Sequence, residues 1–345
     1  MATMYIATGD ALAVVHQRKG RWEAELQLTG RPTQCVAADP LRPEVVYCGT
    51  FGQGLLRSRD AGASWELVGE GIQGIRYSEI MAVTVSSLER AGDYGVVWAG
   101  TEPSDLFKSE DGGATWQERS SFLELPSVPT WFFPPRPWTH HVRWITPDPN
   151  VEGRIFIGIE LGGVLRSLDD GLTWEDRKPG SEHDAHTLRM HRLAPGRVYE
   201  AAGGGYAETF DGGDTWMPFD EGLRWRYLWG LAVDPADPNI VVTSASPSAR
   251  QSHARPSSGA EARIYRRLGG QPWREIRAGL PDPEGTPAYV LAANEAEAGV
   301  FYAAPHEGAV YRSADTGLTW EQIDLVWPDG YKPRDMRGLV VVELS

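Results

Sequence analysis

A short pattern that occurs five times constrains this chain more than any other feature. It reads Ser/Thr-x-Asp-x-Gly-x-Ser/Thr-Trp, and its copies are residues 58–65, 109–116, 167–174, 209–216 and 313–320. The aspartate can accept hydrogen bonds from nearby backbone N–H groups, the glycine tolerates positive φ, and the tryptophan buries a large ring. Strand-like residues flank each copy, so the pattern, here called the Asp-turn, predicts the tip of a β-hairpin.

The Asp-turn belongs to a longer unit of four β-rich runs. In the clearest unit these runs are residues 34–40, 45–50, 54–58 and 65–68. Four short antiparallel strands in units of about 40–50 residues are typical of a β-propeller blade. Six such units follow one another, although the fifth has Leu268 where the others have aspartate.

The two ends of the chain together predict one more blade. Residues 4–8, 11–16 and 22–26 resemble three strands that lack a first strand, and residues 336–343 resemble the missing one. We therefore expect an all-β, seven-bladed propeller in a single domain, residues 1–345, closed by residues 1–28 with 334–345. Closure removes the sheet edges that invite aggregation. Six blades is the alternative, if the ends are only appended to the ring.

Composition narrows the classes of partner. A formal net charge of −14 argues against a nucleic-acid or anionic-membrane surface. The sequence contains no run of about 18 apolar residues, so we expect no membrane span. The N-terminal residues do not resemble a signal segment. Cys35 and Cys48 give no disulfide framework, although they could face each other across one hairpin. We expect a cytoplasmic protein with two reduced thiols.

The Asp-turn resembles the Asp-box, or bacterial neuraminidase repeat. This repeat is found in sialidases, sortilin-type receptors, xyloglucanases and a photosystem assembly factor, and the resemblance extends over the whole chain. It implies a propeller whose ligand site lies on the face opposite the boxes. Because these families share the box while differing in activity, the resemblance implies a fold more than a function. The Arg-Ile-Pro motif of sialidases is absent from the N-terminal region.

Aligning the units at the aromatic residues of their second strands predicts a ring at the channel mouth. The ring residues are Gln34, Arg143, His186, Trp229, Tyr289 and Arg337, completed by Glu79 or Met81. The loops after the second strands add Gln53, Glu102, Asp105, Glu160, Tyr206, His306 and Glu307. A concave, aromatic-walled site with converging polar groups suits a small molecule or a carbohydrate.

Two loops stand out in the same alignment. Residues 120–141 form a Pro- and aromatic-rich insertion containing Trp131 and Trp138. Long loops without a strand pattern are often functional, so we expect this one to fold over the top and wall a pocket. The alternative is that it only plugs the channel. Residues 244–262 form a polar loop that contains His253.

Acid–base chemistry on an acidic sugar is the first prediction for this face. Glu160 or Glu102 with His186 or Tyr289 could move a proton, while Arg143 and Arg337 hold an anionic group. Gln34, Tyr206 and the three tryptophans, Trp131, Trp138 and Trp229, would contact the substrate. These residues predict an enzyme resembling glycoside hydrolases or lyases.

Two alternatives remain open. A divalent metal could bind His141, His186, His306 and Glu160, because propellers assemble ligands from different blades. On a strand, Asp184 would share a face with His186. The other alternative is a non-enzymatic interaction scaffold with a protein partner.

Overall fold

Each predicted unit forms an antiparallel sheet. The computed structural model describes residues 2–18, 20–305, 308–333 and 335–344, and in this part of the chain the sheets number seven. They surround a central channel as the blades of a propeller, which confirms the predicted seven-bladed, all-β fold.

The strands lie along the chain as follows. The first fourteen are β1 (Ala2–Ala7), β2 (Leu12–Arg18), β3 (Arg21–Gln27), β4 (Thr33–Asp39), β5 (Arg42–Thr50), β6 (Leu55–Ser58), β7 (Glu66–Val68), β8 (Ile80–Ala91), β9 (Tyr94–Thr101), β10 (Leu106–Ser109), β11 (Gln117–Glu118), β12 (Val142–Pro147), β13 (Ile155–Ile159) and β14 (Gly163–Ser167). The others are β15 (Ala185–Met190), β16 (Val198–Ala202), β17 (Tyr206–Thr209), β18 (Met217–Pro218), β19 (Tyr227–Val233), β20 (Ile240–Ser246), β21 (Arg263–Leu268), β22 (Arg274–Ile276), β23 (Val290–Ala293), β24 (Phe301–Ala304), β25 (Tyr311–Ser313), β26 (Glu321–Gln322), β27 (Leu325–Val326) and β28 (Gly338–Glu343).

Helix is limited to the loops. A short α-helix, α1, spans Ala249–His253, and 3-10 turns span Ser121–Glu124, Val128–Thr130 and Pro256–Ser258. No helix among the described residues is long and apolar enough to cross a bilayer.

Blades 1 to 6 follow the chain in order. Each sheet runs from an innermost strand to an outermost one: β4–β7, β8–β11, β12–β14, β15–β18, β19–β22 and β23–β26. In blade 3 the fourth strand is reduced to a single bridge between Arg166 and Glu175.

Blade 7 joins the two ends of the chain. Strand β28 pairs antiparallel with β1, in a register that runs from Ala2 opposite Glu343 to Ala7 opposite Gly338. Strands β2 and β3 complete the blade, and β27 adds a parallel strand outside β3. The prediction that the ends close the ring is confirmed.

The core is divided among the spaces between blades. Seven apolar clusters are present in the described chain, and each is shared by two neighbouring blades. The Asp-turn tryptophans lie in these clusters against the preceding blade: Trp116 packs with Tyr47 of blade 1, and Trp174 with Trp98 of blade 2. The repeated tryptophan therefore holds one blade to the next.

The Asp-turn is a hydrogen-bonded unit. In the first copy Asp60 accepts from the backbone N–H of Ser64 at 2.8 Å and from its hydroxyl at 2.6 Å. Ser58 Oγ donates to Asp60 and accepts from the N–H of Gly62, which has a φ of +91°. The other four copies repeat these bonds.

Replacing Asp60 by alanine should destabilise the protein by about 1–2 kcal/mol, since hydrogen bonds to an ionised group are lost while little apolar packing changes. Chemical denaturation at 25 °C measures this loss. Asp60→Asn keeps an acceptor oxygen and should lose less; equal losses for the two variants would contradict this role of the carboxylate.

The strand directions separate two faces of the propeller. The turn after the third strand lies at the same end as the turn after the first, and Ala61 N–H accordingly donates to Glu44 O at 2.9 Å. We call this end the bottom face. The innermost strands begin at the opposite end, the top face, where the loops after the second strands also lie.

Candidate functional site

The seven innermost strands line a central cavity of about 420 Å³. Gln34, Arg143, Trp229 and Arg337 lie where these strands begin, at the top of the channel. The insertion 120–141 contributes none of its residues to the channel wall. That the insertion walls a pocket on the top face stays a prediction.

A β-bulge lies near the start of five innermost strands. Strands β4, β8, β12, β15 and β19 shift register against their second strands at this level. The residues that the bulges insert are Gln34, Met81, Arg143, His186 and, together with Gly230, Trp229. Bulges re-aim side chains and recur next to functional sites. They coincide with the ring that the repeat alignment predicted.

Glu160 follows β13 and lies between a histidine and an arginine. His141 Nε2 donates to its carboxylate at 3.0 Å, and Arg143 Nε lies 3.9 Å from the same oxygen. Burial alone would raise the pKa of Glu160, but the hydrogen bond from His141 and the charges of His141, His186 and Arg143 lower this pKa to about 2. Glu160 is consequently an anion across the physiological range and cannot act as a proton donor there.

Glu102 is committed to the insertion. Arg136 pairs with both of its carboxylate oxygens, and the guanidinium lies between the rings of Phe51 and Phe133, 4.9 and 4.8 Å from their centroids. Glu102 is only 4% exposed. Glu102 would have to leave this bidentate pair to act as an acid or base.

His186 is completely buried between Tyr227 and Trp229, whose ring centroids lie 4.9 and 4.8 Å away. Its Nδ1–H donates to Leu228 O at 2.5 Å, and Nε2 lies 3.5 Å from Asp184 Oδ1. Nε2 has no hydrogen-bond partner among the described residues. A direct acid–base role for His186 would require its side chain, which has 0% exposure, to become accessible to a substrate.

Arg143 lies over the face of Trp229, with its guanidinium carbon 4.5 Å from the ring centroid. Burial lowers the pKa of Arg143, and the nearby Glu160 partly offsets this effect. Arg337 bonds Gln34 and lies 3.2 Å from Asp335. Each of the two arginines at the channel mouth thus lies near a carboxylate.

The polar loop folds over this side of the site. His253, at the end of α1, packs edge-on against Trp229 at 4.4 Å, and its Nε2 lies 3.1 Å from the hydroxyl of Tyr227. Burial and the carboxylates of Glu160 and Asp184 raise the pKa of Tyr227. Sequence reasoning missed Tyr227 because it lies two residues before the aligned position.

A run of three glycines accommodates acidic side chains. A Cβ on Gly203 would lie 1.9 Å from Asp184 Oδ2, and one on Gly204 would lie 2.2 Å from Glu182 Oε2. Only glycine lets the backbone approach these carboxylates so closely. Burial first, and then the charge of Asp220, raise the pKa of Glu182.

Three predicted site residues lie in the interior: Tyr289, a candidate for proton transfer, and the contact candidates Tyr206 and Trp131. Tyr289 and Tyr206 belong to apolar clusters between blades, and the Tyr206 hydroxyl donates to Glu208 at 2.5 Å. Trp131 is 6% exposed, stacks on Phe122, and donates its indole N–H to Ser127. In this structure, therefore, little of these three side chains is accessible to a ligand. Trp138, by contrast, is 79% exposed.

The predicted metal ligands are only partly brought together. Glu160, Asp184 and His186 place one ligand atom each within 4.8 Å of one another. His141 hydrogen-bonds Glu160 but is not a member of this group. His306, and with it Glu307, lies outside the described residues. Cys35 and Cys48 are free thiols.

The fold and this top-face cluster define a seven-bladed β-propeller with a polar site at its channel mouth. No family model matches the chain. It is 26% identical over 156 residues to an oligoxyloglucan-reducing end-specific xyloglucanase of Emericella nidulans, which covers 41% of this chain and 17% of that protein. It is 25% identical over 266 residues to xyloglucanase Xgh74A of Acetivibrio thermocellus, which covers 61% of this chain and 29% of that one. The chain thus spans less than a third of the length of these curated relatives.

Solved structures share the fold. A GH74 enzyme of Niastella koreensis superposes with a TM-score of 0.69 at 15% identity, covering 91% of this chain and 51% of that chain. The structure described as YCF48 bound to D1 peptide superposes with a TM-score of 0.58 at 18% identity, covering 84% and 80%. At these identities the likeness establishes the propeller alone.

Proposed function

We propose that this protein binds a carbohydrate bearing an acidic group at the channel mouth and cleaves it as a glycoside hydrolase- or lyase-like enzyme. The observation that supports this most is the pairing of Arg143 with the face of Trp229 at the rim of an open cavity. The ring can stack on a sugar, and the guanidinium can bind its carboxylate. The partial similarity to two xyloglucanases also favours a carbohydrate substrate.

The charged groups suggest a division of roles. Arg143 and Arg337 would anchor the substrate carboxylate, with Gln34 and Trp229 orienting the sugar. Glu182, whose pKa is raised, would supply the proton to the leaving oxygen, and the anionic Glu160 would stabilise the positive charge that develops on the sugar ring. Two carboxylates with oppositely shifted pKa values are the arrangement that glycoside cleavage uses. The hydrogen-bonded Asp-turns favour placing the protein among the Asp-box propellers.

Binding tests this proposal first. Calorimetry should show that uronate-containing oligosaccharides bind more tightly than neutral ones of the same length. Arg143→Gln should weaken acidic binding about tenfold, a loss of about 1.4 kcal/mol. Arg31→Gln removes the same charge from a top-face side chain that bonds Gln53, outside the ring, and serves as the matched control.

Turnover is tested separately. Reducing-end release indicates hydrolysis, and the ultraviolet absorbance of an unsaturated uronate indicates elimination; Glu182→Gln should abolish either one. Equal binding of acidic and neutral sugars, unchanged by Arg143→Gln, would overturn the proposed substrate class.

A platform for a protein or peptide partner is the second candidate. Trp138 and Phe132 of the insertion are 79% and 43% exposed, and the nearby Glu102 is already neutralised by Arg136. Exposed aromatic residues are enriched at protein interfaces. Absence of any saccharide binding, together with a partner whose affinity is lost in Trp138→Ala, would favour this function.

A further inference from the structure

A compact cluster of ligand-type atoms lies beside the channel mouth. Glu160 follows β13 of blade 3, Asp184 precedes β15 of blade 4, and His186 is the bulged residue of that strand. One oxygen or nitrogen of each lies within 4.8 Å of the others. Three residues from two blades thus converge on one point.

The histidine directs its Nε2 atom to this point, 3.5 Å from Asp184 Oδ1. Because Leu228 O accepts from Nδ1–H, Nε2 is the ring nitrogen that a metal ion could bind once it carries no proton. That atom is buried and, within the described chain, has no hydrogen-bond partner. Metal-ligating histidines commonly donate their other ring N–H to a backbone carbonyl, which sets the tautomer and the ring orientation. The rings of Tyr227 and Trp229 hold His186 in the same orientation.

The surroundings favour a cation. Glu182 and Asp220 approach the glycine loop 203–205 next to Asp184, so further carboxylates lie around the cluster. The facing positive groups are Arg143, whose Nε is 3.9 Å from Glu160, and Arg226, 3.6 Å from Asp220. His141 donates to Glu160 Oε2 at 3.0 Å. Among the described residues, Asp184 forms its ion pair with His186 and not with these cations.

We propose that Glu160, Asp184 and His186 bind one divalent transition-metal ion of the Zn²⁺ or Mn²⁺ type. One imidazole and two carboxylates suit these ions, and three protein ligands leave a position for a substrate oxygen or water. Tetrahedral ligands about 2.1 Å from the metal are roughly 3.4 Å apart, so the carboxylates close towards His186 on binding.

A cation here would change how the site works. It would give His186 a function that does not require direct contact with substrate. It would also place a second positive centre beside Arg143 for an acidic group. The metal site does not depend on the saccharide proposal, because metal binding is measured without sugar and either proposal can fail alone.

Titration of the metal alone tests the inference. Untagged full-length protein, stripped with a chelator and dialysed, is titrated with ZnCl₂ and MnCl₂ by calorimetry, and bound metal is counted by elemental analysis. We expect one ion per chain for at least one of the two metals. Asp184→Asn should weaken its binding by about tenfold or more, because a neutral amide is a poor ligand for these ions. Co²⁺ substitution should give a visible absorption band that this variant loses.

Asp220→Asn is the matched control. Asp220 is a neighbouring, partly buried carboxylate that accepts from the N–H of Tyr206, and it lies outside the cluster. The Asp220→Asn substitution removes the same charge as Asp184→Asn and should change the affinity for the metal less than about threefold. The proposal would be overturned if neither metal bound at one ion per chain. It would also be overturned if Asp184→Asn and Asp220→Asn weakened metal binding equally.

Discussion

Removing the closing strand, residues 338–345, should abolish the cooperative unfolding of the whole protein. Strand β28 is the innermost strand of blade 7 and pairs with β1 along six residues. Leu339 and Val341 are 8% and 4% exposed, and burial of such side chains contributes about 1.5–3 kcal/mol each. The truncation also removes the ladder hydrogen bonds and opens the channel wall, which adds to the loss of stability. The typical free energy of unfolding of a protein is only about 5–15 kcal/mol. Scanning calorimetry should show the transition broadened or lost.

Restoring the strand as a separate peptide provides the control. A synthetic peptide of residues 336–344 added to the truncated protein should recover a cooperative transition. The same peptide with Val341→Asp should not, because it places a charge in the apolar space between blades 6 and 7. A truncated protein that melts within a few degrees of the full chain would show that closure contributes little.

Glu208→Ala should cost about 3–5 kcal/mol, the range for breaking a buried ion pair by removing one partner. Glu208 is completely buried on β17 and bonds Arg197 at 2.9 Å and Arg267 at 2.6 Å. Arg267 belongs to blade 5, so the carboxylate joins two blades. Without it, two buried guanidinium groups and the Tyr206 hydroxyl lose their shared acceptor. Denaturant unfolding monitored by tryptophan fluorescence measures the loss.

Asp214→Ala is the matched comparison. Asp214 pairs with Arg166 at 2.7 Å, but its side chain is 65% exposed. An exposed pair contributes at most about 1 kcal/mol. If the two variants lost equal stability, the distinction between buried and exposed pairs would not apply to this propeller.

The repeat accounts for how much of the site could be predicted. The alignment located Gln34, Arg143, His186 and Trp229, because the same strand position is bulged in blade after blade. Tyr289, which the alignment placed in the same ring, precedes β23 and lies in the apolar space between blades. A shift of one residue along a strand reverses the face that its side chain occupies. The sequence contains no marker for which residue is bulged.

The contacts of the loop residues could not be predicted from the sequence for a different reason. Trp131 and Trp138 belong to the same insertion, yet one is buried against Phe122 and the other is exposed. The carboxylate of Glu102 is bonded by Arg136, which lies 34 residues away along the chain. Neither outcome follows from local pattern, since both depend on contacts made after the chain has folded.

The sequence by itself determined the architecture of this protein. Local turn chemistry and a buried tryptophan recur at each Asp-turn, and the missing strand of blade 7 is visible in residues 336–343. Such features act over a few residues or between neighbouring units, so they can be followed along the chain. Only the tertiary structure decided which polar groups meet. The convergence of Glu160, Asp184 and His186 depends on how two blades are placed side by side, and burial then sets the pKa of Glu160.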